Sequence, residues 1–183
     1  NTLSSKLNII FKIPYTNFDN EKYLVYSLAN ILGNGRSSRL YNRLRNNPGL
    51  VYYISSKVKL SNTSKTLNHF CLETEVSDNK LTDVIDIIIK ELQKIKNEVI
   101  DNTELIKHYN ETKIYKLLKK QDKNPSRIID KYSKYMLWDK KIITDKDEYQ
   151  MLMNITKKDI HHIANKIFNM SNIMIIYSGK TNK

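Results

Sequence analysis

Two side chains suited to recognising charge stand seven residues apart in this sequence, Arg45 and Tyr52. A guanidinium offers a planar fork of donors that fits a carbonyl or a carboxylate, and it stays charged at any working pH. A phenol can donate a hydrogen bond through its hydroxyl. Asn46-Asn47-Pro48-Gly49 breaks the chain between them. We therefore expect a reversal that brings the two side chains together.

The histidines make poorer candidates for a site. His108 and Glu111 stand at positions i and i+3 of a predicted helix. His161 and His162 are adjacent in another. A closed zinc site needs three or four ligands, and nothing else in the sequence completes either set. The sequence predicts no metal site in this chain.

Gly33-Asn34-Gly35 invites comparison with a phosphate-binding loop. It follows a helical pattern instead of a strand, however, and no Gly-Lys-Ser/Thr comes after it. We expect Gly33 and Gly35 to provide positive φ at a helix C-terminus and to allow a close approach of the backbone.

Hydrophobic periodicity predicts the elements that position Arg45 and Tyr52. Arg45 would end a short helix that Ser37 or Ser38 caps, and Tyr52 would begin a strand. The predicted elements are a strand at 7–13, a helix at 24–32 ended by Gly33, the short helix with Leu40 and Leu44, strands at 51–60 and 67–76, helices at 81–100, from 103, at 128–136 and at 149–153, a helix capped by Thr156 and Asp159, and a strand at 173–177.

This order is neither strict βαβ alternation nor all-helical. It predicts an α+β fold, a two-layer sandwich in which helices pack on one face of a mainly antiparallel sheet. A length of 183 residues is that of one ordinary domain, so we expect a single domain over residues 1–183. Because the chain opens on Asn1 without a leader pattern, we also expect it to be a segment of a longer protein.

The composition of the chain bears on its binding partners and on its compartment. The net charge of +12 is spread over the whole chain instead of forming a basic block, so we do not expect nucleic acid to bind. No apolar stretch approaches the roughly 20 residues of a membrane span. The single cysteine, Cys71, lies in an alternating apolar stretch that is typical of a buried thiol. That usage favours a reducing intracellular compartment or an organelle interior.

One stretch of the sequence resembles a known family. Residues 31–52 read ILGNGRSSRLYNRLRNNPGLVY. This run is similar to the signature of the C-terminal half-domain in the insulinase, or pitrilysin, superfamily of M16 peptidases. The signature is a glycine-rich helix end, a Ser-Ser-Arg-Leu helix start, Leu-Arg, a break, and Gly-Leu followed one residue later by Tyr. The downstream order of elements also looks like that family.

The resemblance implies a half-domain that pairs with a similar N-terminal half, in the same or a separate chain, around a peptide or unfolded polypeptide. In the family, the first half holds zinc through a His-x-x-Glu-His motif. That motif is absent here, so zinc is expected only in the N-terminal half. The isolated domain is expected to be inactive.

The resemblance also implies roles for individual residues. Arg45 and Tyr52 would bind substrate, and Tyr52 would stabilise the oxyanion. Tyr53 is a rival, because adjacent strand residues normally face opposite ways. Gly33, Gly35 and Gly49 would be structural loop residues. The alternative is a non-catalytic scaffold or binding subunit, as in processing-peptidase or respiratory complexes of the same family. A zinc motif in the upstream sequence would decide between the two.

Overall fold

A computed structural model describes residues 4–14, 18–46, 49–61, 68–111, 124–134, 136–137 and 142–179. Its one sheet has four strands in the order β2-β3-β1-β4, and every neighbouring pair is antiparallel. The strands are β1 (Ser4–Lys12), β2 (Val51–Lys59), β3 (His69–Ser77) and β4 (Ile173–Ser178). All four were predicted from the sequence; their order in the sheet was not.

Six α-helices accompany the sheet in the described residues. They are α1 (Phe18–Gly33), α2 (Leu81–Asn97), α3 (Asn102–Glu111), α4 (Pro125–Lys134), α5 (Asp145–Met153) and α6 (Lys157–Ile167). The predicted cap of α6 is confirmed, since Asp159 N donates to Thr156 Oγ1 at 3.2 Å and Thr156 N donates to Asp159 Oδ2 at 2.8 Å. The predicted connector at 61–66, apart from Ser61, and the helical positions Ile114 and Leu117 lie outside the described residues.

The core lies on one face of the sheet. In β1 the side chains of Leu7, Ile9 and Phe11 are fully buried. The Phe168 ring, just after α6, meets the rings of Phe11 and Phe70 edge to face, with centroids 5.1 and 5.2 Å apart. Helices on one side and a sheet on the other confirm the predicted two-layer α+β fold.

The other side of the sheet, which we call the open face, carries the alternate residues of each strand. Those of the two central strands are Ser4, Lys6, Asn8, Ile10 and Lys12 of β1, and His69, Cys71, Glu73, Glu75 and Ser77 of β3. Lys6 and Lys12 are exposed there. Cys71 is buried, as predicted, with 8% of its surface exposed. Burial raises the pKa of its thiol.

None of the described helices combines the length and apolar character that crossing a bilayer demands.

Candidate functional site

The structure brings Arg45 and Tyr52 together. The Arg45 Cζ atom lies 5.5 Å from the centre of the Tyr52 ring, within the range of a cation–π contact. Arg45 is exposed, and Tyr52 has 78% of its surface exposed. The two side chains therefore form one outward patch at the start of β2, with the guanidinium against the ring and the phenol hydroxyl accessible.

Arg45 sits in an unusual helical turn. Tyr41–Asn46 is a π-helix, whose wider turn accommodates one more residue than an α-helix does. The reversal closes when Leu50 N donates to Leu44 O at 2.7 Å, and Gly49 adopts a positive φ of 72°. Pro48 lies outside the described residues. The predicted short helix before the reversal is thus present, but with π geometry.

A β-bulge places the neighbouring tyrosines. Val51 is opposite Val76 and Ile54 is opposite Thr74, so two residues of β2 face the single residue between them on β3. Val51 and Ile54 are both buried on the helix side. Tyr52 and Tyr53 therefore both lie towards the open face, and the expected alternation between them does not hold.

Hydrogen bonding separates the two tyrosines. The Tyr53 hydroxyl donates to Glu73 Oε1 at 3.2 Å, whereas Tyr52 is engaged only by the Arg45 guanidinium among the described residues. Burial and the neighbouring Glu73 carboxylate raise the pKa of Tyr53. A hydrogen bond and ion pair with Lys57 lower the pKa of Glu73. The Tyr53 hydroxyl is therefore already hydrogen-bonded to Glu73, and Tyr52 is the tyrosine whose hydroxyl is available to a ligand.

A depression of about 390 Å³ lies beside the pair, on the open face. Arg45, Gly49 and Tyr52 line one side, and Glu75 and Lys80 line the other. Sequence reasoning had not marked Glu75 or Lys80, because neither belongs to a motif. The depression offers donors from Arg45, Lys80 and Tyr52 and one carboxylate, a set that suits the polar main chain of a peptide.

Two ion pairs fasten the segment that carries Arg45. Arg39 donates from Nε and Nη2 to the two oxygens of Glu104, in α3, at 2.5 and 2.9 Å. Arg43 Nε donates to Glu91 Oε1, in α2, at 3.0 Å. A bidentate pair fixes direction as well as distance. The π-helical turn is therefore tied to two helices of the core layer.

The Gly33-Asn34-Gly35 loop fastens the other side of the site. The Asn34 side chain accepts from Ser56 N at 3.0 Å and donates to Ser56 O at 2.9 Å, as a neighbouring strand would. Gly35 has a positive φ of 90°, as predicted, but Gly33 does not. Gly33 is instead needed for the predicted close approach, since it ends α1 directly against β2.

Ser38, next to this loop, does not act as the predicted cap. The Ser38 hydroxyl donates to Gly35 O at 2.8 Å, and so closes the turn instead of accepting a helical N–H. Ser37 O accepts from Asn42 Nδ2 at 3.2 Å. The predicted side-chain cap is therefore not made by Ser38, whose hydroxyl binds the Gly35 carbonyl; for Ser37 the cap stays a prediction.

Gly33→Ala is expected to lower the free energy of unfolding by about 1–3 kcal/mol, as overpacking does. The new Cβ would overlap Ser56 Oγ and lie 3.1 Å from Ser56 N. Ser56 Oγ is buried and accepts no hydrogen bond from the described residues. Urea denaturation of Gly33→Ala, of Ser56→Ala and of the double variant measures the effect. We expect Ser56→Ala to restore part of the loss; additive effects would show that the overlap is not the cause.

The described residues contain no group of three or more His, Cys, Asp or Glu side chains that could hold a metal ion. His108 is buried, and His161 lies in α6. The side chains here therefore do not fit the zinc that the resemblance associates with the N-terminal half.

Comparison with known proteins places the chain in a family. Residues 2–111, more than half of the chain, match the family model described as the Peptidase M16 inactive domain. No curated protein matches the sequence.

Solved structures share the fold at low identity. The inactive domain of an M16 peptidase from Pseudomonas fluorescens has a TM-score of 0.81 at 15% identity, covering 96% of this chain and 40% of that one. A protease from Helicobacter pylori has a TM-score of 0.79 at 18% identity, covering 97% and 41%. A chain of complex III2 from Candida albicans has a TM-score of 0.76 at 14% identity, covering 96% and 42%.

The present chain thus spans about two fifths of the length of these three structures. Identities of this size establish the likeness of the fold alone. The match to the family model goes further, because it covers the segment that carries Arg45, Tyr52 and the glycine-rich loop. The chain belongs to the Peptidase M16 inactive domain family.

Proposed function

We propose that this domain is the C-terminal half of a zinc endopeptidase, and that it binds peptide and stabilises the transition state in trans to a zinc-bearing N-terminal half. The observation that carries the proposal is the exposed pair of Arg45 and Tyr52, seated beside a polar depression. A core tyrosine would be buried, and a structural arginine here would meet a carboxylate of its own domain, as Arg39 and Arg43 do.

The exposure of the Tyr52 phenol supports its proposed role as an oxyanion donor. Hydrolysis of a peptide bond moves negative charge onto the carbonyl oxygen, and a phenol placed there stabilises the transition state more than the ground state. The Tyr52 side chain is directed outward at a bulge, where strand pairing does not cover it. Bulges commonly re-aim a side chain in this way at functional sites.

Arg45 has the complementary role of holding the substrate. Its guanidinium lies against the Tyr52 ring, which restricts its motion while leaving its N–H donors available to a carbonyl or carboxylate. The ion pairs of Arg39 and Arg43 keep the turn that bears it in place. Less entropy is lost on binding when the donor is held in advance.

Zinc, when bound to the N-terminal half, would supply the activated water for hydrolysis. This chain contributes no ligand set for it among the described residues. Its proposed part in the reaction is to bind the peptide and to stabilise the negative charge that develops on the carbonyl oxygen.

Arg45→Ala in the full-length protein is expected to raise KM and to lower kcat. The guanidinium contacts substrate before and during the reaction, so kcat/KM should fall about ten- to hundredfold, as for a lost hydrogen bond to a charged group. Steady-state cleavage of an unfolded peptide measures both constants.

The matched control for Arg45 is Arg36→Ala. Arg36 is exposed in the same segment and makes no ion pair with the described residues. Equal losses in the two variants would show that general positive charge, and not the Arg45 position, attracts the peptide.

A non-catalytic scaffold or binding subunit is the second candidate. It is favoured by one observation, the likeness in fold to a chain of complex III2. A scaffold would tolerate loss of Tyr52 and Arg45 without functional effect, and its full-length protein would cleave no peptide. The zinc content of the purified full-length protein distinguishes the two candidates.

A further inference from the structure

A row of basic side chains crosses the open face at the end of the sheet far from Tyr52. Lys59 of β2 is directly opposite His69 of β3, and His69 is directly opposite Lys12 of β1. Side chains that face each other on neighbouring strands are in contact range. Lys12 and Lys59 are exposed on either side of His69.

The other lysines of the open face have acidic neighbours. Lys6 is opposite Glu75, and Lys57 forms an ion pair with Glu73. Lys12 and Lys59, in contrast, form no ion pair within the described ranges of the chain. The charges of Lys12 and Lys59 are therefore not neutralised by a carboxylate of the described residues.

A second depression, of about 320 Å³, adjoins this row. Ile10 and Met174 supply its apolar lining, and Lys12, Lys59 and Asn172 stand at its polar side. Met174 has 57% of its surface exposed. An acidic group on a short apolar stem would satisfy both parts of the site, because the stem can cover the apolar atoms while the carboxylate meets the lysines.

We infer that this depression, with Lys12 and Lys59, binds the side-chain carboxylate of a Glu or Asp in the peptide held at Arg45 and Tyr52. The inference rests on the proposed function and specifies its substrate class as peptides with an acidic residue at a set distance. The positive charges of Lys12 and Lys59 favour a carboxylate as the ligand. Because both depressions lie on the open face, one extended peptide could occupy both. Ser4, Glu75 and Ser77 of the first depression and Ile10, Lys12 and His69 of the second all lie on the open face.

The strand geometry sets the distance. Ser4 lies at the first depression and Lys12 at the second, at opposite ends of β1. Eight residues of strand at a rise of about 3.3 Å per residue separate them by roughly 26 Å. An extended peptide covers that length in about eight residues. The carboxylate should therefore lie about eight residues from the peptide bond next to Tyr52.

The test uses the full-length protein and neutral peptides that carry one internal Glu, moved one position at a time. We expect kcat/KM to rise about fivefold when Glu is about eight residues from the cleaved bond, in line with part-exposed ion pairs. The rise should disappear in Lys12→Gln/Lys59→Gln and persist in Lys90→Gln/Lys158→Gln, a matched pair on exposed helix positions. Cleavage that is equal at all positions, or a preference that survives in Lys12→Gln/Lys59→Gln, overturns the inference.

Binding of the same peptides, read by fluorescence anisotropy, keeps the two proposals separate. Neutral peptides that bind but are never cut would count against the proposed function. In that case, the dependence of binding affinity on the position of Glu would still test the role of Lys12 and Lys59. A preference that vanishes on amidation of the peptide C-terminus, and not on Glu→Gln, would overturn the side-chain assignment. A lower melting temperature of Lys12→Gln/Lys59→Gln, with all peptides cut equally, would assign the row to contact with the N-terminal half and overturn the inference.

Discussion

Tyr52→Phe in the full-length protein is expected to lower kcat about 100-fold while KM changes little, as for loss of one oxyanion donor. The substitution removes only the hydroxyl. The ring, its contact with Arg45 and its exposed position at the bulge all remain. Substrate should therefore bind as before, and the transition state alone should lose a hydrogen bond. Steady-state kinetics on an unfolded peptide, with single-turnover measurements to isolate the chemical step, provide the check.

Tyr53→Phe is the matched control. It removes the same atom from the neighbouring residue, whose hydroxyl bonds to Glu73 instead of facing the depression. Its kinetics should stay near those of the unmodified protein. A larger loss of kcat in Tyr53→Phe than in Tyr52→Phe would reverse the assignment of the two tyrosines, and unchanged kcat in both would remove the oxyanion role.

Phe168→Ala is expected to lower the free energy of unfolding by about 3–5 kcal/mol, the usual range for a large aromatic in a core. The Phe168 side chain is fully buried and meets both Phe11 and Phe70. These rings come from the residue just after α6, from β1 and from β3, so the change removes contacts that join the helix layer to two central strands. Urea denaturation monitored by circular dichroism measures the loss.

Phe168→Leu and Met153→Ala set the scale for that result. Phe168→Leu keeps much of the apolar volume and should cost clearly less than Phe168→Ala. Met153, with 43% of its surface exposed, should tolerate alanine with little effect. A loss for Phe168→Ala no greater than that for Met153→Ala would show that this ring does not hold the two layers together.

Much of the fold follows from the periodicity of the sequence. Leu7, Ile9 and Phe11 alternate with polar residues, and one-sided burial of β1 follows directly from that pattern. The Thr156 and Asp159 cap could be predicted because both partners lie within one helical turn. In these cases the residues that determine the element lie close together in the sequence.

Features that depend on distant contacts could not be predicted this way. The sequence around Asn34 does not indicate that its side-chain amide forms two hydrogen bonds with the Ser56 main chain at the edge of β2. The bulge at Tyr52 and Tyr53 depends on how β2 registers against β3, and the ion pairs of Arg39 and Arg43 join the region of the π-helical turn to helices far away in the sequence. The sequence predicted that Arg45 and Tyr52 would lie together. It did not predict that Tyr52 and Tyr53 would both lie towards the open face, because that depends on the register of β2 against β3.

The position of β1 in the sheet has a consequence for the order in which the protein can be assembled. Phe11 pairs with Phe70 on one side and with Ile173 on the other. Within this domain β1 is made first, yet its neighbour β4 is made only after the six described helices. Pairings so distant along the chain form slowly, because a long loop must close first. Until β4 arrives, one edge of β1 stays available to any other extended chain, and this interval is when a ribosome-associated chaperone would matter most.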